Sequence, residues 1–179
     1  DGELDILTKS GVVGYRITWR LTKEIDQKMV ARTCERGWSM HYLHRADEEH
    51  MDAWKPHILK TPGKFVLEHM GGVDPSKGIN GEGFRFVLQA LDTGRCWVKL
   101  SPRPSAQPIL PFSDVLPFVR ELVTRFPTRL MWGSDWPHAT ADSPPDTFAL
   151  FSAFCAAVGD EKSLDRILVD NPNELYGFE

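Results

Sequence analysis

Two side chains suited to hydrolytic chemistry, Asp135 and His69, each follow a short apolar run of the sequence. Asp135 lies between Trp132 and Trp136 in the stretch MWGSDWPH, where it could act as a general base that takes a proton from water. His69 ends the run FVLEH and could polarise a carbonyl or bind a divalent metal. Structural roles remain open for both, since Asp-Trp-Pro is typical of a turn and a single histidine is more often structural. In the functional interpretation, the two indoles form a hydrophobic wall beside the carboxylate.

Arginines and a tyrosine near the ends of other apolar runs are candidates for binding a substrate. The planar guanidinium fork of arginine matches a carboxylate with two parallel hydrogen bonds. Arg16 and Arg103 fit this role, whereas a salt bridge to a neighbouring loop is the stronger interpretation for Arg20. Tyr42 and His44 share one face of a predicted strand, and His41 points to the other face.

Five apolar runs, each followed by a segment of helical period, predict the elements that position these residues. The predicted strands cover residues 11–18, 38–44, 64–69, 96–101 and 129–133. Helices are predicted over residues 22–37, 46–63, 84–94 and 113–126, and again from residue 144 onward. Thr22 is the predicted N-cap of the first of these helices, and Pro56 is expected to kink or break the second.

This alternation predicts the α/β class, with parallel strands covered by helices. We interpret residues 1–179 as a single domain, the C-terminal part of a TIM-barrel-like (β/α)8 fold with about five βα units present and the first strands missing. A complete small α/β sheet is the alternative. In either fold the carboxyl ends of the strands meet at one edge, which would bring the candidate residues together.

Composition argues against several classes of partner. The net charge is −4 and no basic stripe is present, so nucleic acid is not expected. No apolar run reaches the roughly 20 residues that a membrane helix requires. The three scattered cysteines suggest reduced thiols and a cytoplasmic location. The chain begins with Asp1 rather than Met, which suggests a piece of a longer protein.

Five motifs resemble the amidohydrolase superfamily, in particular the branch of 2-pyrone-4,6-dicarboxylate hydrolases and related sugar lactonases: GYRIT, VLEHMGG, WVKLSPRPS, LMWGSDWPH and DNPNELYGF. The resemblance implies a (β/α)8 barrel whose first strand bears an HxH pair, which nothing in this chain matches. It also implies a role for each candidate residue: Asp135 activates water, His69 polarises a lactone carbonyl, Arg16 and Arg103 hold substrate carboxylates, Tyr42 contacts the substrate, and Arg20 is a weaker match.

The function implied by the resemblance is hydrolysis of a lactone that bears carboxylates, without a metal. One alternative is a metal-dependent amidohydrolase or decarboxylase of the same superfamily, with zinc or manganese held in part by His69 and Asp135. Another is a barrel fragment without catalytic function. The expected partner is a small-molecule carboxylate substrate, the oligomeric state stays open, and the 179 residues alone are expected to be inactive.

Overall fold

A parallel β-sheet forms the framework of the fold. A computed structural model describes residues 1–22, 24–44, 48–101, 113–139 and 144–178, with side chains throughout except at residues 48–51. Five strands lie in the order in which they occur in the chain, and all neighbours are parallel. They are β1 (Gly14–Thr18), β2 (Ser39–Leu43), β3 (Phe65–Leu67), β4 (Cys96–Leu100) and β5 (Leu130–Trp132).

Within the described ranges, eight α-helices precede, connect and follow the strands. They are α1 (Gly2–Lys9), α2 (Gln27–Cys34), α3 (Glu48–Leu59), α4 (Glu82–Asp92), α5 (Leu116–Arg125), α6 (Thr147–Val158), α7 (Glu161–Asp165) and α8 (Asn171–Tyr176). Turns of 3-10 helix cover Glu68–Gly72 and Pro75–Lys77. A short π-helix over Arg166–Asp170 joins α7 to α8. None of the helices described is long and apolar enough to cross a bilayer. The predicted alternation of parallel strands and helices is confirmed.

One predicted detail of the helices is wrong, and another is narrowed. Asp26 rather than Thr22 is the N-cap of α2, and its carboxylate accepts hydrogen bonds of 2.9 and 3.1 Å from the backbone N–H groups of Lys28 and Met29. An aspartate satisfies these N–H groups better than a threonine that lies several residues earlier. Pro56 stands inside α3, which continues to Leu59, so the proline does not break the helix.

The two faces of the sheet bury different side chains, because successive residues of a strand point to opposite sides. One face packs against the helices, and it contributes Ile17, Met40, Tyr42, Phe65, Leu67, Val98 and Leu130 to the main apolar core. The other face carries Val66, Trp97 and Met131, which pack with Leu175 of α8. We refer to it as the Trp97 face.

Helix α8 lies at the amino ends of the strands. The ammonium group of Lys64, just before β3, donates a 2.7 Å hydrogen bond to the carbonyl of Glu174. The guanidinium of Arg129, just before β5, forms a 3.0 Å ion pair with the carboxylate of the same residue. The carboxyl ends of the strands therefore lie at the opposite edge of the sheet from α8.

Candidate functional site

The segments that follow β3 and β5 bring His69 and Asp135 together. His69 Nε2 lies 3.6 Å from Asp135 Oδ1, and the two side chains are 7% and 25% exposed. On the other side of the ring, His69 Nδ1 is 2.9 Å from the hydroxyl oxygen of Ser101, which follows β4. Three adjacent strands thus contribute one side chain each to a single cluster, and the two residues singled out from the sequence lie next to each other.

The neighbours of His69 are compatible with a ring that carries a proton on Nε2. A carboxylate only accepts hydrogen bonds, so a proton on Nε2 would point toward Asp135. In the neutral ring of this form, Nδ1 would accept a hydrogen bond from the Ser101 hydroxyl. This form presents an N–H donor beside a carboxylate acceptor, which is the pair of groups that general acid–base chemistry requires.

Both candidate catalytic residues have a left-handed backbone conformation. Among the described residues, the non-glycine residues with positive φ are His69 (49°), Met70 (54°), Asp135 (64°) and His138 (59°). Such conformations cost about 1–3 kcal/mol each and cluster at functional sites. Gly71 continues the turn at φ 67°, where a Cβ would come within 2.5 Å of a side chain of α4. The strained turns fall at the two positions where the sequence predicted chemistry.

A charged cluster on the Trp97 face consists of Glu68, Lys99 and His41, and we call it the Glu68 cluster. Glu68 directly precedes His69 in the chain. The Lys99 ammonium forms a 2.8 Å ion pair with the Glu68 carboxylate, and His41 Nδ1–H donates a 2.9 Å hydrogen bond to the same group. Burial raises the pKa of Glu68, but the His41 hydrogen bond and the Lys99 charge outweigh it and lower that pKa to about 2. Lys99 is a charged residue within the otherwise apolar strand β4, and its partners could not be identified from the sequence.

The three predicted arginines have different surroundings. Arg16 is exposed on β1, where it pairs in register with His41 and therefore points to the Trp97 face. The Arg20 side chain is exposed and its guanidinium stacks 5.5 Å from the Trp19 ring centre. Arg103 lies outside the described residues. Arg16 thus lies on the same face of the sheet as His41, and its role in binding a substrate stays a prediction.

The structure contradicts the prediction that Tyr42 contacts a substrate. Tyr42 is fully buried on the face that packs against the helices, and its hydroxyl shares a 2.7 Å hydrogen bond with the Thr61 hydroxyl. Burial is the main cause that raises the pKa of Tyr42 to about 12. Strand alternation places His41, not Tyr42, on the Trp97 face.

We expect Tyr42→Phe to lower the free energy of unfolding by about 1 kcal/mol, because it removes one buried hydrogen bond and leaves the Thr61 hydroxyl without its partner. Denaturant unfolding measures this change. Steady-state kinetics of the full-length protein should stay within twofold of the original values. A large rise in KM would instead return Tyr42 to the substrate site.

The two tryptophans do not enclose Asp135 as the sequence suggested. Trp132 packs against Phe151 and Phe154 of α6, with ring centres 5.1 and 6.0 Å apart. Trp136 is 75% exposed. The expected hydrophobic wall is therefore wrong: one indole belongs to the helix-facing core, and the other faces solvent.

His44, which was expected to share a strand face with Tyr42, is a packing residue of the helix-facing side. It is 4% exposed and meets the Phe86 ring edge-to-face at 5.7 Å. Burial lowers the pKa of His44 to about 4, against a smaller opposing contribution from the backbone of Tyr42 and Gly71. The ring is therefore uncharged near neutral pH.

The described residues do not by themselves form a metal site. No group of three or more His, Cys, Asp or Glu side chains within them could hold an ion. His69 and Asp135 supply two donors, whereas catalytic zinc sites use three protein ligands.

A parallel β/α sheet with candidate catalytic side chains gathered at its carboxyl edge is the arrangement found in (β/α)8 barrels. The chain belongs to the amidohydrolase family, whose profile matches residues 12–178. This finding confirms the resemblance seen in the sequence motifs.

Named relatives agree with this assignment. The chain is 30% identical to a 4-sulfomuconolactone hydrolase of Rhizobium radiobacter, over 98% of this chain and 62% of that protein. It is also 30% identical to a 2-pyrone-4,6-dicarboxylate hydrolase of Comamonas testosteroni, over 98% of this chain and 63% of the relative. The chain therefore spans less than two thirds of the length of these curated relatives.

A solved structure confirms the TIM-barrel-like fold class. The crystal structure of a probable 2-pyrone-4,6-dicarboxylic acid hydrolase from Acinetobacter baumannii, with citric acid bound, superposes with a TM-score of 0.81. It is 27% identical to this chain, and the match covers 99% of this chain and 68% of that structure.

Proposed function

We propose that this chain belongs to a hydrolase that opens a lactone bearing an acidic group. The observation that carries the proposal is the approach of His69 Nε2 to Asp135 Oδ1 at 3.6 Å. The names of two relatives support the substrate class, since one acts on a sulfomuconolactone and the other on a pyrone dicarboxylate.

In the proposed reaction, a water molecule attacks the lactone carbonyl carbon and Asp135 takes the proton that the water loses. The Nε2–H of His69 donates to the carbonyl oxygen as negative charge develops there. The bond between the carbonyl carbon and the ring oxygen then breaks, and Asp135 returns the proton to the ring oxygen. The product is a hydroxy acid, and both side chains regain their starting states.

Arg16 supports recognition of an acidic substituent away from the reacting carbon. It is exposed and shares a face with His41. A guanidinium that binds a remote carboxylate orients the lactone, and its binding energy is available for positioning the ester. Arg103 remains a second candidate for this role.

The proposal is tested by assaying the full-length protein with 2-pyrone-4,6-dicarboxylate and with an uncharged lactone of similar size. We expect hydrolysis of the dicarboxylate with a kcat/KM at least about tenfold higher, because one charge-assisted hydrogen bond contributes about 1.5–3 kcal/mol. Failure to hydrolyse any lactone would refute the proposal.

Metal analysis of the same preparation separates the metal-free reaction from its metal-dependent alternative. Full activity without bound metal would support the mechanism above. Activity that requires stoichiometric zinc or manganese would favour the alternative, in which His69 and Asp135 are ligands.

A further inference from the structure

The Glu68 cluster lies on the strand segments that immediately precede the candidate catalytic residues. Glu68 directly precedes His69, and Lys99 on the next strand lies two residues before Ser101. Ser101 in turn contacts His69 at 2.9 Å. The ion pair between Glu68 and Lys99 therefore joins the two chain segments that hold the His69 ring.

The cluster also reaches the segment that carries Asp135. Gly133 follows β5 and lies two residues before Asp135. A Cβ at Gly133 would stand 3.0 Å from Cδ and 3.2 Å from Cγ of Lys99, so the lysine stem lies flat against this glycine. A side chain at this position would displace either the lysine or the strand end.

On the other side, the cluster is fixed to β2. His41 donates to Glu68, its other ring nitrogen is 3.2 Å from the Ser39 hydroxyl, and its ring stacks on Tyr176 at 5.9 Å. Glu68 is 3% exposed, so its carboxylate depends on these protein partners rather than on solvent.

We infer that the Glu68 cluster positions the candidate catalytic pair, by holding the chain ends that carry His69, Ser101 and Asp135 in register. Glu68, Lys99 and His41 act as positioning residues; they do not touch the substrate. The inference deepens the proposed lactone hydrolysis and rests on it for its kinetic consequences. Its structural consequence, the orientation of His69, can be measured independently.

Stability relative to an apolar pair of similar volume does not account for such a cluster, although the Glu68 charge is more stable in the fold than its protonated form. A buried ion pair has a desolvation cost that its Coulomb attraction only partly offsets, and replacement by apolar residues is often neutral or stabilising. A buried ion pair does, however, hold its partners in a narrow range of geometries. A catalytic pair requires such geometry, since a misplacement of 1 Å costs roughly 100-fold in rate.

The test compares three variants of the full-length protein. Glu68→Gln removes the charge with little change of shape, and the double replacement Glu68→Leu with Lys99→Leu removes the ion pair altogether. Arg129→Gln is the control, because it breaks an ion pair at the amino edge of the sheet. We expect both cluster variants to lose about 100-fold in kcat with KM within twofold. The control should keep the original kcat.

Two further readouts separate positioning from general stability. The double variant should unfold at the same or a higher temperature while its kcat falls, whereas a merely structural role predicts that both fall together. In nitrogen NMR spectra, the ring signals of His69 should shift toward a mixture of tautomers in Glu68→Gln and stay unchanged in Arg129→Gln. Original kcat in both cluster variants, or unchanged His69 signals, would overturn the inference.

The two proposals fail in different ways. If the unmodified protein hydrolyses no lactone, the proposed function is refuted, and the His69 signals still decide whether the cluster orients the ring. If the protein is an active lactonase and the cluster variants match it in kcat, the positioning role is refuted and the function stands.

Discussion

Asp135→Asn is expected to lower the kcat of the full-length protein about 1,000-fold. A positioned general base contributes roughly 10²–10⁴-fold to a rate, and the amide of asparagine does not accept a proton from water. The substitution suits the site because asparagine tolerates a left-handed backbone better than most residues, and Asp135 has a φ of 64°. The measurement is steady-state hydrolysis of 2-pyrone-4,6-dicarboxylate.

The pattern of the kinetic constants distinguishes a base from a binding residue. Loss of a group that acts in the transition state lowers kcat and kcat/KM together, whereas loss of ground-state binding raises KM. Asp92→Asn, at the exposed end of α4, is the matched control and should leave both constants unchanged. Normal turnover by Asp135→Asn would exclude the aspartate as the base and remove the basis of the proposed mechanism.

The arrangement of the strands could be predicted because it depends on apolar runs that only a buried sheet accommodates. β4 is a good example: its apolar residues alternate between the two cores, with Val98 on the helix side and Trp97 on the other. Helix boundaries were less accessible to sequence reasoning. The N-cap of α2 depends on which of several polar residues reaches the free N–H groups, and Asp26 rather than Thr22 does so.

The candidate site could be predicted in part from the rule that reactive groups gather at the carboxyl ends of parallel strands. That rule selected His69 and Asp135, which lie together. The rule does not say which face of the sheet a side chain occupies. Tyr42 was placed at the substrate by resemblance, although strand alternation directs it into the helix-facing core. Partners such as Glu68 and Lys99 could not be paired from the sequence, because register between strands is a tertiary property.

The second large effect concerns stability in acid and depends on Glu68. The usual pKa of this carboxyl group is 4.5, and it falls to about 2 in the folded protein. A carboxyl group whose pKa is lower in the folded state stabilises the fold fully above its unfolded pKa, and this contribution is lost as the pH falls through the folded value. The relevant window therefore runs from about pH 4.5 down to about pH 2.

We expect the contribution of the Glu68 charge to be about 3 kcal/mol at neutral pH, since one unit of pKa corresponds to about 1.4 kcal/mol. The glutamine of the Glu68→Gln variant cannot ionise, so the variant lacks this contribution. The free energy of unfolding of the original protein should therefore exceed that of the variant by an amount that is constant above pH 4.5 and shrinks by about 3 kcal/mol toward pH 2. Denaturant unfolding at a series of pH values measures it, with the exposed Glu161→Gln as a control that should follow the original curve. Parallel curves for the original protein and Glu68→Gln across this window would show that the carboxylate is not held in its charged form by Lys99 and His41.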